Sequence, residues 1–406
     1  MCCSDRPCLV RNLLMVLTAG AAALLLTGCP PGGEALRVGA LFSETGEMGE
    51  VGRSIKAGLE IGLTDANDYL AAINADFRLV IDGENTGGDA GTAAERAEVL
   101  RQRGMDVLIG PQFDAAADAL LPWADEHDVL LLSPSSTTPS LSIEEDNLLR
   151  MVADDTHQVA AAGYSFLLNG INMVAPLYRD DLYGAGVADA LAAYFSEEKQ
   201  LSVLDGVSYA PDTADFTATL DALDAAVADA QAASPGFAVA VYVAAFDEIV
   251  DILLAAESYP RLMAVRWYAS GAVAQSQPLQ ANPDAAAIAS DVGLTAVAPG
   301  GFGSGSAAVR QAIADRLGET PNEYALYAYD AVQVLASAYV ELGKDADMTD
   351  IKGVLPLICE EYLGVTGWAL LNGNGDRAVG NYFTWMLQPD EEDALVWENM
   401  GVITAK

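Results

Sequence analysis

Short apolar runs alternate with longer segments of helical periodicity along this chain, and that alternation restricts its fold more than any other feature. The apolar run 36–42 precedes the segment 52–70, in which Ile55, Leu59 and Leu63 fall on one helical face. The same order recurs down to the apolar run 129–132. This pattern predicts an α/β protein in which helices cover both faces of a parallel sheet.

A second series of the same kind follows the first. Apolar runs at 173–178 and 238–243 alternate with helical segments at 185–195 and 216–232. A chain of 406 residues also exceeds what one hydrophobic core usually supports. We therefore expect two Rossmann-like lobes, each built on a parallel-rich sheet.

The N-terminal segment has the features of a secretory signal. Arg6 and Arg11 precede the apolar run 13–26, which is short for a transmembrane helix. The run ends in Leu-Thr-Gly-Cys29, which resembles the lipobox of bacterial lipoproteins, whose cysteine is lipidated. We expect a signal peptide over 1–28 and a lipidated tether over 29–35, with Cys29 as the membrane anchor. The protein would then lie in the cell envelope outside the cytoplasm, facing the periplasm or the outer cell surface.

Charge and the scarcity of reactive side chains argue against several classes of protein. The formal net charge of −38 should repel nucleic acid and anionic lipid headgroups. His127 and His157 have no partner at metal-ligand spacing, and no nucleophile elbow, phosphate loop or dinucleotide-binding motif opens a helix. We expect no enzymatic activity, no metal, no cofactor and no nucleic-acid partner, and a hydrolase on an α/β sheet is a disfavoured alternative.

Several loops that follow predicted strands carry distinctive motifs. In the first lobe these are Gly-Ala-Leu-Phe-Ser-Glu-Thr-Gly at 39–46, Ile-Gly-Pro-Gln-Phe-Asp at 109–114 and Leu-Ser-Pro-Ser-Ser-Thr-Thr-Pro at 132–139. The counterpart in the second lobe is the segment 177–186. Hydroxyls and amides at the carboxyl end of a strand, as in 132–139, can hold the head group of a zwitterion.

Together these motifs resemble the branched-chain amino-acid-binding (leucine/isoleucine/valine-binding) family of ABC-transporter solute-binding proteins, which has the type I periplasmic-binding fold. The resemblance extends over 36–390 and includes Tyr-Asp-Ala at 329–331 and Gly-Val-Thr-Gly at 364–367. It implies a small ligand between the lobes, whose amino-acid head group would contact the loop at Ser135, Ser136 and Thr137. The other ligand-binding residues that it implies are Val51, Phe113, Asp114, Tyr183, Phe246, Gly271 and Tyr324.

The resemblance also implies how the chain is divided and what it does. The lobes would be joined by three hinge crossovers, near Ala153, near Pro299 and within 367–377. The N-terminal lobe would comprise 36–153 plus 299–366, and the C-terminal lobe 154–298 plus 367–406. The protein would capture a small amino-acid-like ligand, branched-chain or related, between closing lobes and deliver it to an ABC permease that is driven by a cytoplasmic ATPase. We expect a monomer.

Two positions depart from the family pattern and leave the ligand open. Asp114 stands where the family usually has serine, and Gly271 stands where many amino-acid binders carry an acid. A carboxylate at Asp114 would repel a ligand carboxylate and attract an ammonium group, so Asp114 is a candidate for the ammonium-binding role. Branched-chain or related amino acids, amides, urea-like compounds, short peptides and aromatic acids remain candidate ligands, and a sensing receptor that transports nothing is an alternative function.

Overall fold

The structure is a computed structural model that describes residues 33–47, 49–197 and 201–405. The signal peptide predicted over 1–28 and the lipidation site predicted at Cys29 lie outside these residues. Among the residues that the structure describes, no helix is both long and apolar enough to span a membrane.

The first sheet has five strands, all parallel, in the order β2-β1-β3-β4-β5. Helices connect the first four of these strands along the chain and cover both faces, as the alternating pattern predicts. The strands are β1 (Glu34–Phe42), β2 (Phe77–Asn85), β3 (Val107–Ile109), β4 (Leu130–Ser133) and β5 (Leu148–Arg150). The helices between them are α1 (Gly49–Ala72), α2 (Ala90–Gln102) and α3 (Asp114–Glu126).

The second sheet has eight strands, of which the last two along the chain run antiparallel to their neighbours. Its strands are β6 (Ile171–Arg179), β7 (Ser202–Val203), β8 (Val207–Tyr209), β9 (Ala238–Ala244), β10 (Arg266–Ala269), β11 (Thr295–Pro299), β14 (Gly380–Pro389) and β15 (Leu395–Ala405). Its helices are α4 (Asp155–Leu168), α5 (Leu182–Glu197), α6 (Thr217–Ala233), α7 (Ile249–Ala256), α8 (Gln277–Ala281) and α9 (Pro283–Asp291).

Both faces of the second sheet are buried, because successive side chains of its central strands enter different cores. Val241 and Trp267 pack in one hydrophobic cluster, whereas their neighbours Tyr242 and Tyr268 pack in another. Burial of both faces is the ordinary state of parallel strands between helices and explains why these runs are continuously apolar.

Three segments after β11 return to the first lobe. They are α10 (Ser306–Leu317), α11 (Tyr324–Leu342) and α12 (Met348–Glu361), followed by the short strands β12 (Leu363–Gly364) and β13 (Gly367–Trp368). Val332 and Leu335 of α11 share a core with Leu59 of α1. The two helices approach closely at Gly58, where a Cβ atom would lie 2.1 Å from the carbonyl oxygen of Ala325.

The chain therefore crosses between the sheets after β5, after β11 and between β13 and β14. Buried arginines join two of these crossings: Arg150 Nε lies 2.5 Å from Asp376 Oδ1, and Arg377 Nη1 donates to the carbonyl of Met151 at 2.9 Å. Ala369, which directly follows β13, still packs in the core of the first lobe, so the third crossing comes after this residue. The segment boundaries assigned to the two lobes above stay a prediction.

The edge of the second sheet is interrupted. The segment 202–209 could form a single strand, but the structure has β7 and β8 separated by three residues without regular structure. Both pieces pair with β6, and the break lies beside Pro176 of β6, whose nitrogen has no hydrogen to donate to a neighbouring strand.

Candidate functional site

A cavity of about 260 Å³ lies between the lobes and is lined by residues of both. Its floor and walls come from loops at the carboxyl ends of parallel strands, where ligands of open α/β sheets usually bind. From the first lobe the lining includes Glu47, Glu50, Val51, Gln112, Phe113, Asp114, Ser135, Thr137 and Tyr324. From the second lobe it includes Arg179, Asp181, Leu182, Tyr183, Phe246, Asp247 and Ser276.

Eight of the predicted ligand-binding residues meet at this cavity. They are Val51, Phe113, Asp114, Ser135, Thr137, Tyr183, Phe246 and Tyr324. The two others lie elsewhere. Ser136 is fully buried beneath the loop, where its amide donates to Ser133 Oγ at 3.0 Å. Gly271 lines a smaller recess that shares Tyr324 with the main cavity. The ligand-binding role of all ten residues stays a prediction.

Asp114, the first residue of α3, is hydrogen-bonded to the loop that follows β4. Its Oδ1 accepts the backbone N–H groups of Thr137 at 2.7 Å and Thr138 at 3.1 Å. Burial raises the pKa of Asp114 to about 6, although these amides and Arg150 act in the opposite direction. The amide of Thr137, which the sequence suggests for a ligand head group, is therefore already bound by a carboxylate of the protein.

Asp155 is a second buried carboxyl group beside the same loop and is not among the predicted ligand-binding residues. Its amide donates to the carbonyl of Thr137 at 2.8 Å, and its side chain is 1% exposed. Its Oδ2 is buried and has no hydrogen-bond partner among the described residues. Burial and next the charge of Asp114 raise the pKa of Asp155 well above its usual range. A sequence signal did exist, because Asp155 begins a helix directly after the first crossing between lobes.

Aromatic rings form the wall on the second lobe. Tyr183 and Phe246 stack with their centroids 5.0 Å apart and their planes 18° apart. The guanidinium carbon of Arg179 lies 3.9 Å from the centroid of Phe246. The hydroxyl of Tyr183 donates to Ser270 Oγ at 2.8 Å, which fixes the ring orientation. The rings of this wall can contact the apolar body of a ligand, and their faces can attract a cation.

The cavity is strongly acidic. Glu47, Glu50, Asp114, Asp181 and Asp247 all line it. Burial first, and then the charges of Asp247 and Glu319, raise the pKa of Glu50 to about 7. Burial, followed by the charges of Glu47 and Glu248, also raises the pKa of Asp247.

Arg179 is the one basic side chain among the described residues that line this cavity, and acidic groups surround it. Its guanidinium lies 2.6 Å from Asp181, 3.0 Å from Glu248 and 3.0 Å from Glu47. Glu47 belongs to the first lobe, so this cluster crosses the cleft. A second contact across the cleft joins Thr138 Oγ1 and the carbonyl of Leu182, 3.4 Å apart.

The two histidines have structural partners. His127 Nδ1 lies 2.9 Å from the carbonyl of Trp123, and His157 Nδ1 lies 3.2 Å from Asp154 Oδ1. In the described part of the chain, no group of three or more histidine, cysteine, aspartate or glutamate side chains is arranged to hold a metal ion.

Residues 35–354 match the family described as "Periplasmic binding protein". The chain belongs to this family. Its members are solute-binding proteins of the ABC-transporter type, and membership implies a location outside the cytoplasm. An uncharacterized protein of Methanocaldococcus jannaschii is 23% identical over 384 residues, which cover 90% of this chain and 89% of that protein. Glutamate receptor 2.1 of Arabidopsis thaliana is 30% identical over 152 residues, which cover 34% of this chain and 17% of the receptor.

Solved structures of solute-binding proteins share the architecture. The branched-chain amino acid binding protein LivJ of Streptococcus pneumoniae, in complex with isoleucine, has a TM-score of 0.70 at 18% identity, covering 92% of this chain and 99% of LivJ. The leucine-binding protein LivK of Thermotoga maritima has a TM-score of 0.72 at 18% identity, covering 91% and 98%. A solute-binding protein of Rhodopseudomonas palustris in complex with benzoate has a TM-score of 0.70 at 17% identity, covering 91% and 96%. The predicted two-lobed type I periplasmic-binding fold is thereby confirmed.

Proposed function

We propose that this periplasmic binding protein is the solute receptor of an ABC importer, which captures a small amino-acid-like ligand between its lobes and delivers it to a permease. The observation that carries the proposal is the cavity of about 260 Å³ whose lining comes from both lobes. A ligand in contact with Asp114 of one lobe and Tyr183 of the other stabilises the closed arrangement more than the open one.

The cavity volume supports a small ligand. Pockets for drug-sized molecules have volumes of roughly 300–1,000 Å³, and this cavity lies just below that range. The walls at Val51, Phe113 and Phe246 are apolar or aromatic. A compound with a short aliphatic or aromatic body and one polar head group fits this combination.

Delivery to a membrane partner would depend on the same open and closed arrangements of the lobes. The permease would recognise the closed form, and a cytoplasmic ATPase would supply the energy. Lipidation at Cys29 would hold the receptor at the membrane surface through the tether 29–35. Mass spectrometry of the protein from a bacterial host tests the anchor: we expect an acylated N-terminus at Cys29, and no acylation in Cys29→Ser.

The proposed function predicts that a small solute stabilises the protein. We would screen amino acids, amines, amides, urea-like compounds and aromatic acids by thermal unfolding of residues 30–406. A ligand at a hundred times its Kd adds about 2.7 kcal/mol of stability. The response should disappear in Tyr183→Ala but persist in Tyr194→Ala, because Tyr194 lies on the same helix and is 37% exposed. If no solute of any class stabilises the protein, the result contradicts the proposal.

A sensing receptor is the second candidate function, and the similarity to glutamate receptor 2.1 over 34% of this chain favours it. Both functions need the same ligand-binding cavity, so ligand binding alone does not separate them. Uptake of the radiolabelled ligand by cells with and without this chain does. An importer component is required for uptake, whereas a receptor that only signals is not.

A further inference from the structure

The site suited to a ligand carboxylate is occupied by the protein itself. Backbone amides after a strand are natural donors to a carboxylate, and the loop after β4 offers those of Thr137 and Thr138. Both donate to Asp114 Oδ1, at 2.7 and 3.1 Å. A ligand carboxylate at this loop would have to replace these bonds and would lie against the like charge of Asp114.

No other group in the described lining offers a free positive charge to a ligand carboxylate. The guanidinium of Arg179 is engaged by Glu47, Asp181 and Glu248. A ligand carboxylate at Arg179 would compete with three carboxylates that the fold already holds in place. Among the described residues that line the cavity, neither lobe therefore offers an unpaired cationic side chain to an anionic head group.

Acceptors for a positive charge, in contrast, are present and unsatisfied. Both bonds to Asp114 fall on Oδ1, so its Oδ2 has no donor in the described part of the chain. Asp155 Oδ2 is buried and has no partner among the residues that the structure describes. Asp155 lies beside the cavity, because its amide donates to the carbonyl of Thr137 at 2.8 Å and Thr137 lines the cavity. Burial, and next the charge of Asp155, raise the pKa of Tyr183 and Tyr324 well above their usual range.

The aromatic wall complements a cation. Ring faces attract ammonium groups within about 6 Å of their centroids. Tyr183 and Tyr324 line the cavity, as does Phe246, whose ring already has the guanidinium carbon of Arg179 3.9 Å from its centroid. An ammonium group that contacts Asp114 can thus extend its apolar body along these rings.

We propose that the ligand of this cavity is a small amine with an apolar body and no carboxylate, and that Asp114 takes the place of the carboxylate that an amino acid would bring. This inference rests on the proposed function and specifies its ligand class. Three observations carry it. Two backbone amides donate hydrogen bonds to Asp114, three carboxylates already bind Arg179, and carboxylate oxygens beside Thr137 are unpaired among the described residues.

The test compares compounds that differ by one group. Calorimetric titrations of the purified protein would use 3-methylbutylamine, leucine and 3-methylbutanoate, which share the same branched body. A second set would use 2-phenylethylamine, phenylalanine and 3-phenylpropanoate. We expect each amine to bind at least tenfold more tightly than its amino acid, and the acids to show no binding.

The outcomes separate the two proposals. Binding of leucine or phenylalanine as tight as that of its amine overturns the amine proposal and leaves solute binding intact. If only an acid, an amide or a urea-like compound binds, the amine proposal is likewise overturned and solute binding stays intact. If no small solute of any class binds, the amine proposal and the proposed function both fail.

Variants test the role of Asp114. Asp114→Asn keeps an acceptor for the amides of Thr137 and Thr138 but removes the charge, so it should weaken amine binding about 30-fold or more. Asp118→Asn is the matched control, because Asp118 is exposed on the same helix, and its affinity should equal that of the wild type. If Asp114→Asn does not fold, the comparison of amine, amino acid and acid on the wild-type protein decides the proposal by itself. An amine affinity unchanged in a folded Asp114→Asn variant overturns the proposal.

Discussion

The guanidinium of Arg179 in the second lobe lies 3.0 Å from the carboxylate of Glu47 in the first. The Arg179 side chain is 4% exposed, and it also binds Asp181 and Glu248 of its own lobe. Arg179 and Glu47 both line the cavity. The contact that joins the lobes is therefore part of the wall that a ligand would touch.

Glu47→Gln should weaken ligand binding by favouring the open form. The side chain of Glu47 is 48% exposed, so the effect should be that of a surface ion pair, up to about fivefold in affinity. Titration measures the affinity, and small-angle X-ray scattering measures the separation of the lobes. Glu44→Gln is the control, because Glu44 pairs with Lys56 inside the first lobe. Equal affinities for the two variants would argue against a closing role for Glu47.

Asp376→Ala should destabilise the protein strongly. Arg150 and Asp376 have side-chain exposures of 0% and 2%, so the substitution leaves a buried guanidinium without its charge partner. Loss of one partner of such a pair costs about 3–5 kcal/mol. Urea unfolding measures the change. Asp345→Ala, at an exposed position, should change the free energy of unfolding by less than about 0.5 kcal/mol, and similar values for both would contradict the account.

Stability should rise as the pH is lowered from 8 to about 5. The folded pKa of Asp114 is about 6 and that of Glu50 about 7, both above the values of 3.8 and 4.5 that they start from. A carboxyl group with a raised folded pKa binds protons more tightly in the folded state, so its ionisation with rising pH destabilises the fold. The charge of Asp181 adds to the rise in the pKa of Asp114 and that of Arg150 opposes it, while Asp114 in turn raises the pKa of Asp155.

Asp114→Asn isolates one part of this pH dependence. Only the part of its shift between pH 5 and its folded pKa of about 6 falls within this range, so Asp114 should contribute about 1.4 kcal/mol to the difference between the two ends. Urea unfolding at pH 5 and pH 8 should therefore show a smaller pH dependence for Asp114→Asn than for the wild type. An identical pH dependence in both proteins would show that ionisation of Asp114 does not change the free energy of unfolding.

The architecture and much of the cavity could be predicted from sequence, because both follow from periodic patterns. Alternating apolar runs and helices predict parallel sheets, and the carboxyl ends of parallel strands converge at one edge. Phe113, Thr137 and Tyr183 come directly after strands and consequently meet at the cavity. Their positions depend only on the order of strands and loops.

Contacts between distant segments could not be predicted in the same way. The bond between Asp114 and the amide of Thr137 joins residues 23 positions apart and depends on how two loops pack. Asp155 is one of many acidic residues in the sequence, and its position at the start of a helix does not reveal that it is buried. Helix α12 contains Pro356, a residue that usually ends helices, and α8 and α9 are short and separated by Asn282.

The most direct measurement of the central claim is a calorimetric titration of wild type, Phe246→Ala and Phe237→Ala with the solute that stabilises the protein most in the thermal screen. Phe246 lines the cavity, whereas Phe237 is 54% exposed. We expect one binding site per chain in the wild type and in Phe237→Ala, and affinity at least tenfold weaker in Phe246→Ala. Equal affinity in all three proteins would place the ligand outside the cavity between the lobes and contradict the proposed function.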